Sequence, residues 1–88
     1  MMDNFISGKP LGPRVKKVEP TGDYELRLLF TNGERRIFNA KPLLNIEVFK
    51  PLVDISLFLG VKVAYGSILW EGDIDYCPDT LYAESTLI

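Results

Sequence analysis

The segment Tyr24–Asn39 constrains the fold more than any other part of the chain. Tyr24, Leu26, Leu28 and Phe30 alternate with Glu25, Arg27, Leu29 and Thr31. This period of two sorts the side chains onto the two faces of a half-buried strand. Asn32-Gly33 follows at once, the pair best suited to a two-residue type I′ turn because both residues tolerate positive φ. A returning strand over residues 34–39 then sets Arg36 and Phe38 on one face and Arg35 and Ile37 on the other. A hairpin is the expectation.

The flanking sequence extends it. Val15 and Val18 mark an edge strand, closed by a turn at Pro20-Thr21-Gly22. Lys41-Pro42-Leu43-Leu44 breaks the sheet and opens a turn of helix. Asp54 is placed to cap a short helix over residues 55–58, which Gly60 ends in the left-handed conformation. Val61, Val63 and Tyr65 alternate as a fourth strand, and Ile68, Leu69 and Trp70 form a fifth after a turn at Gly66-Ser67. Pro78 suits the first position of a closing helical turn, with Asp79 in its first turn. The expected fold class is α+β: a small, mostly antiparallel sheet of about five strands with two short helices. Residues 1–13, with Gly8, Pro10, Gly12 and Pro13, read as a flexible arm. Residues 14–84 read as a single α+β domain and residues 85–88 as a frayed C-terminus.

Composition limits the function. A chain of 88 residues buries only about 60–65% of its extended surface, so its core is thin. Cys77 is the sole cysteine, and a domain this small without a disulfide framework points to a reducing, cytoplasmic compartment. No signal peptide and no apolar run of membrane-spanning length are visible. The net charge of −2 is unevenly spread. Residues 1–44 carry eight basic and five acidic side chains, and residues 45–88 carry two basic and seven acidic ones. Such a dipolar chain pairs its charges internally or presents opposite poles to two partners. Direct nucleic-acid binding is not expected, because the overall sign is wrong for phosphate neutralisation.

The chain has no histidine, which removes the commonest general base, the commonest metal ligand and every serine–histidine or cysteine–histidine pair. No phosphate-binding or dinucleotide-binding glycine motif is present. The acidic run Trp70-Glu71-Gly72-Asp73-Ile74-Asp75-Tyr76-Cys77-Pro78-Asp79 is the one local constellation. Asp73, Asp75, Cys77, Asp79 and Glu84 fall at positions 1, 3, 5, 7 and 12 of a calcium loop. That reading fails on a thiol at position 5 and on Pro78 where the turn requires glycine. Asp73 and Asp75 share a face of an extended segment and can converge on a ligand; the plainer account makes them turn and capping residues. Cys77, with no base near it in sequence, reads as a buried or half-buried structural thiol, and Trp70 as core. The candidate ligand or partner surface comprises Trp70, Asp73, Asp75, Tyr76, Arg35 and Arg36, with no catalytic residue, metal or cofactor.

An ordered set of motifs carries a resemblance. Val15-x-x-Val18 and the Tyr24–Phe30 strand come first, then Asn32-Gly33-Glu34 with Arg36-x-Phe38. Pro42-Leu43-Leu44, Phe49-x-x-Leu52 and Phe58 follow, and Trp70-x-x-x-Ile74-Asp75-x-x-Pro78-x-x-Leu81-Tyr82 closes the set. From about Arg14 to Tyr82 the chain resembles domain-of-unknown-function family 2442, whose bacterial members stand alone or are fused to a helix-turn-helix domain. Asn39 departs from the aspartate usual there. The resemblance implies no catalytic residue. It implies a non-enzymatic regulatory or antitoxin-like module acting through a protein partner. The alternative is a small-molecule-binding domain with a pocket near Trp70, Asp73 and Asp75. Separately from the resemblance, a homodimer is expected, because two short helices cannot cover a sheet of about five strands and the Val15–Val18 strand is left as an exposed edge.

Overall fold

The computed structural model describes residues 12–88, so the expected arm lies outside the described residues except for Gly12 and Pro13. Strands β1 (Val15–Pro20), β2 (Glu25–Phe30) and β3 (Arg35–Asn39) form an antiparallel meander. Two 3-10 segments follow, Lys41–Asn45 and Glu47–Val53, and then helix α1 (Ile55–Leu59). Strands β4 (Lys62–Ala64), β5 (Ser67–Trp70) and β6 (Ile74–Tyr76) make a second meander. Helix α2 (Pro78–Glu84) leads to strand β7 (Thr86–Leu87), which pairs with β3. The result is α+β, with one sheet in the order β1-β2-β3-β7 and another in the order β4-β5-β6.

Where a single sheet of five strands is expected, the described residues form two sheets, with seven strands between them. Two segments account for the difference. Ile74–Tyr76 pairs with β5, and residues 85–88, expected to fray, supply β7 instead. Ile88 also donates its N–H to Arg35 O at 3.0 Å. Neither strand has enough residues to announce itself by alternation.

The alternation in β2 does what its period demands. Leu26, Leu28 and Phe30 face the core at 0–2% exposure, joined by Phe38 from β3. Trp70, Ile68 and Phe58 fill the other side, with Leu81 from α2 closing one end. Phe58 and Trp70 stack at 6.0 Å, and Tyr24 packs on Phe58 at 4.9 Å. Asp54 caps α1 as expected, its Oδ1 accepting from Ser56 N at 3.0 Å. Gly60, however, ends that helix at φ −83°, outside the left-handed region.

The two hairpin turns invert the expectation drawn from Asn-Gly. Gly33 N donates to Phe30 O, and Phe30 N to Glu34 O, both at 2.9 Å. Only Gly33 has positive φ, at 87°. This is a three-residue loop ending in a glycine bulge, the next commonest hairpin after the two-residue type. Asn32 instead uses its side chain, accepting from Glu34 N at 3.0 Å. The two-residue turn with both φ positive occurs at Tyr65-Gly66, at 54° and 76°, between the paired residues Ala64 and Ser67. Gly66 O there accepts the Val15 N–H at 2.8 Å, tying the second sheet to the edge of the first.

Candidate functional site

The acidic run does not assemble a pocket. Trp70 is fully buried and its Nε1–H donates to Phe58 O at 3.0 Å, so it belongs to the core and not to a surface. Asp73 sits in the β5–β6 loop at φ 61° beside Gly72 at 89°, a turn residue exposed to solvent. Asp75 is exposed on β6 opposite Leu69. Tyr76 is half-buried between Phe38 and Phe49, with its hydroxyl donating to Glu84 Oε1 at 2.5 Å. Burial first, and then the Glu84 carboxylate, push its pKa up to about 12. Two grooves, of about 410 and 510 Å³, are lined by other residues. Neither groove lies against Trp70, Asp73 or Asp75, and the tryptophan expected to floor a ligand pocket there is spent on the core. Among the described residues no group of three or more histidine, cysteine or acidic side chains is placed to hold a metal ion.

Cys77, expected to be buried or half-buried, is exposed immediately before α2. The Thr80 backbone N–H, then the Thr80 hydroxyl and the Asp79 backbone N–H, favour its thiolate and lower its pKa. The Asp79 carboxylate acts the other way.

Arg35 and Arg36, adjacent in sequence, have opposite roles. Arg36 lies on the inner face of β3 opposite Leu28, with its guanidinium 4.1 Å from the Tyr82 ring centroid. It donates to Glu34 Oε1 at 2.9 Å, to Ser85 O at 2.8 Å and to Tyr82 O at 3.3 Å. The Tyr82 hydroxyl in turn donates to Glu34 Oε1 at 2.7 Å. This clamp ties the first hairpin to the end of α2 and holds β7 against β3. Tyr82, then Arg36, lower the Glu34 pKa by favouring its carboxylate. Arg36 is a structural residue.

Arg35 points to the outer face of the four-stranded sheet, and that face is the candidate site. Its strand register is explicit. Lys17, Leu29 and Arg35 form one cross-strand row, and Glu19, Arg27, Ile37 and Thr86 form the next. Lys17, Glu19, Arg27 and Arg35 are exposed, and Leu29 and Ile37 are half-buried. The 410 Å³ groove runs over Lys17, Glu19, Arg27, Leu29 and Arg35 to Ile88, which is 67% exposed, while Ile37 lines the 510 Å³ groove. Sequence reasoning picked out only Arg35 here. The available signal was Leu29, an apolar residue on the otherwise polar face of β2.

A small two-sheet α+β protein whose described residues leave one sheet face open is what the geometry defines. The chain belongs to the family described as protein of unknown function (DUF2442), whose model matches residues 15–86. No curated protein and no solved structure matches it. The motifs shared with the family are largely core: Leu43, Phe49, Leu52, Phe58, Trp70, Ile74 and Leu81 are all buried. The Asn39 side chain accepts from Lys41 N at 3.1 Å. A carboxylate oxygen serves that turn equally well.

Proposed function

We propose that the chain is a non-catalytic binding module, regulatory or antitoxin-like, that engages a partner protein through the outer face of its four-stranded sheet. One observation carries this reading: half-buried Leu29 and Ile37 lie diagonally across β2 and β3 on an exposed face, with the charged Arg35 and Arg27 beside them. An apolar centre with a polar rim is the anatomy of a protein–protein interface. The β1 edge is a poor route to self-pairing. Val15 N–H is already bonded to Gly66 O, Pro20 has no N–H, a bulge interrupts the register between Val15 and Lys17, and Lys16 and Lys17 are exposed. A reducing, cytoplasmic setting suits the exposed thiol of Cys77. No helix among the described residues is long and apolar enough to cross a membrane.

The test is affinity capture of the tagged chain from its host, with mass spectrometry, beside a Leu29→Asp/Ile37→Asp variant whose urea midpoint confirms folding. A protein retained by the wild type and lost by the variant is the expected result. Equal capture by both, or no capture by the wild type, overturns the reading.

A further inference from the structure

We infer that the partner seats an acidic amphipathic helix on this face, an inference that rests on the outer face being the partner site. The geometry supplies the reasons. Neighbouring strands lie about 4.8 Å apart and same-face residues along a strand about 6.8 Å apart. Lys17 and Arg35 therefore flank Leu29 in one row, about 10 Å from each other. Arg27, two residues along β2, lies on the same face in the adjoining row beside Ile37. Three cations surround one leucine, and Ile37 lies diagonally beyond it on the same face.

Lysine and arginine lay their stems along apolar surface and hold their charges at its rim. An occupant must then offer an apolar stripe for Leu29 and Ile37 with carboxylates on either side. The two guanidiniums suit carboxylates best, since each presents a planar fork able to bind one bidentately. A helix laid on an antiparallel sheet is one of the standard layer packings of α+β folds. Glu19, paired with Arg27 across the strands, argues against a nucleic-acid backbone, as does the net charge of −2. A two-fold pairing of this face with itself would bring a second set of the same three cations onto it, and like charges brought together are unfavourable.

The experiment uses the full chain and a labelled synthetic peptide of about 15 residues, with leucines along one helical face and glutamates bordering them. Three controls accompany it: the same peptide with lysine for glutamate, a glutamate peptide without the leucines, and a single-stranded oligonucleotide of similar length. Fluorescence polarisation is expected to show binding of the acidic amphipathic peptide alone. That binding should weaken with added salt, and by about tenfold or more in Arg27→Glu/Arg35→Glu. Amide shifts at Leu29, Arg35 and Ile37 in NMR should locate it.

Three results overturn the inference: preference for the basic peptide or the oligonucleotide, indifference to charge reversal, or a concentration-dependent mass increase abolished by Leu29→Asp/Ile37→Asp. The last makes a second copy the occupant. The two levels separate cleanly. A captured partner lost by Leu29→Asp/Ile37→Asp yet kept by Arg27→Glu/Arg35→Glu leaves the face as the site and removes its acidic specificity. No capture by the wild type removes the site itself.

Discussion

The two faces of the four-stranded sheet are built from the same strands and have opposite fates. On the inner face Leu26, Leu28, Phe30 and Phe38 are at most 3% exposed, and Arg36 is clamped between Glu34, Tyr82 and Ser85. On the outer face, one residue away in each strand, Arg27 and Arg35 stand in solvent and Leu29 and Ile37 are half-covered. Side chains alternate strictly along a strand, so a shift of one position exchanges core for surface. Arg35 and Arg36 are the plainest demonstration. Residue type predicts neither role; register does.

The largest expected effect contrasts Phe30 with Leu29. Phe30→Ala should cost about 3–5 kcal/mol, enough to leave a domain of this size largely unfolded, whereas Leu29→Ala should stay within about 0.5 kcal/mol. Urea titrations of the two variants measure this directly, and equal losses would erase the distinction between the faces. Trp70→Ala should behave like Phe30→Ala, since Trp70 is equally buried.

At the first hairpin, Gly33→Val should lower stability by about 1–2 kcal/mol through left-handed strain alone, since its Cβ would meet nothing within 4 Å. The second hairpin offers the opposite sign. Tyr65 is 97% exposed at φ 54°, so Tyr65→Asn should raise stability by about 0.5 kcal/mol. Thermal melts of both variants check these, and an unchanged midpoint for Gly33→Val would remove the turn assignment.

The neighbouring arginines sharpen the comparison further. Arg36→Met should lower the midpoint and loosen β7, visible as faster amide exchange at Thr86 and Ile88. Arg35→Met should change neither while weakening partner binding. Faster exchange in both variants would mean the clamp is not specific to Arg36.

The smallest effect is pH-dependent. The Glu34 pKa is depressed from 4.5 in the folded chain by Tyr82 and Arg36, so the unfolded chain binds the proton more readily. Its stabilisation is therefore present above about pH 4.5 and lost as pH falls through the lower folded value. The midpoint gap between wild type and Glu34→Gln should narrow from about pH 6 to about pH 3. A constant gap would show that the carboxylate charge contributes nothing.

Much of the fold was legible before any coordinates. The alternation from Tyr24 to Phe30, the Asp54 cap and Pro78 at the head of α2 each follow from local chemistry that the chain carries within a few residues. The candidate site was far less legible. Arg36, Trp70, Asp73 and Asp75 were singled out by type, yet Trp70 and Arg36 are engaged within the fold and Asp73 shapes a turn. Lys17, Arg27 and Leu29 went unnoticed because each looks ordinary alone. Only pairing across β1, β2 and β3 sets them side by side.

The sequence by itself determined the local periods, the hairpin between β2 and β3, the identity of most core residues and the absence of any histidine-based chemistry. The tertiary structure decided which turn carries two positive φ angles. Asn32 satisfied a backbone donor with its own side chain, while Tyr65-Gly66 was pressed into a two-residue turn against Arg14 and Val15. It also decided that residues 74–76 and 86–87 are strands and that one sheet face stays open. Strand pairing joins residues as far apart as Ile37 and Thr86. That energy lies in hydrogen bonds and packing between distant segments, which no local pattern records.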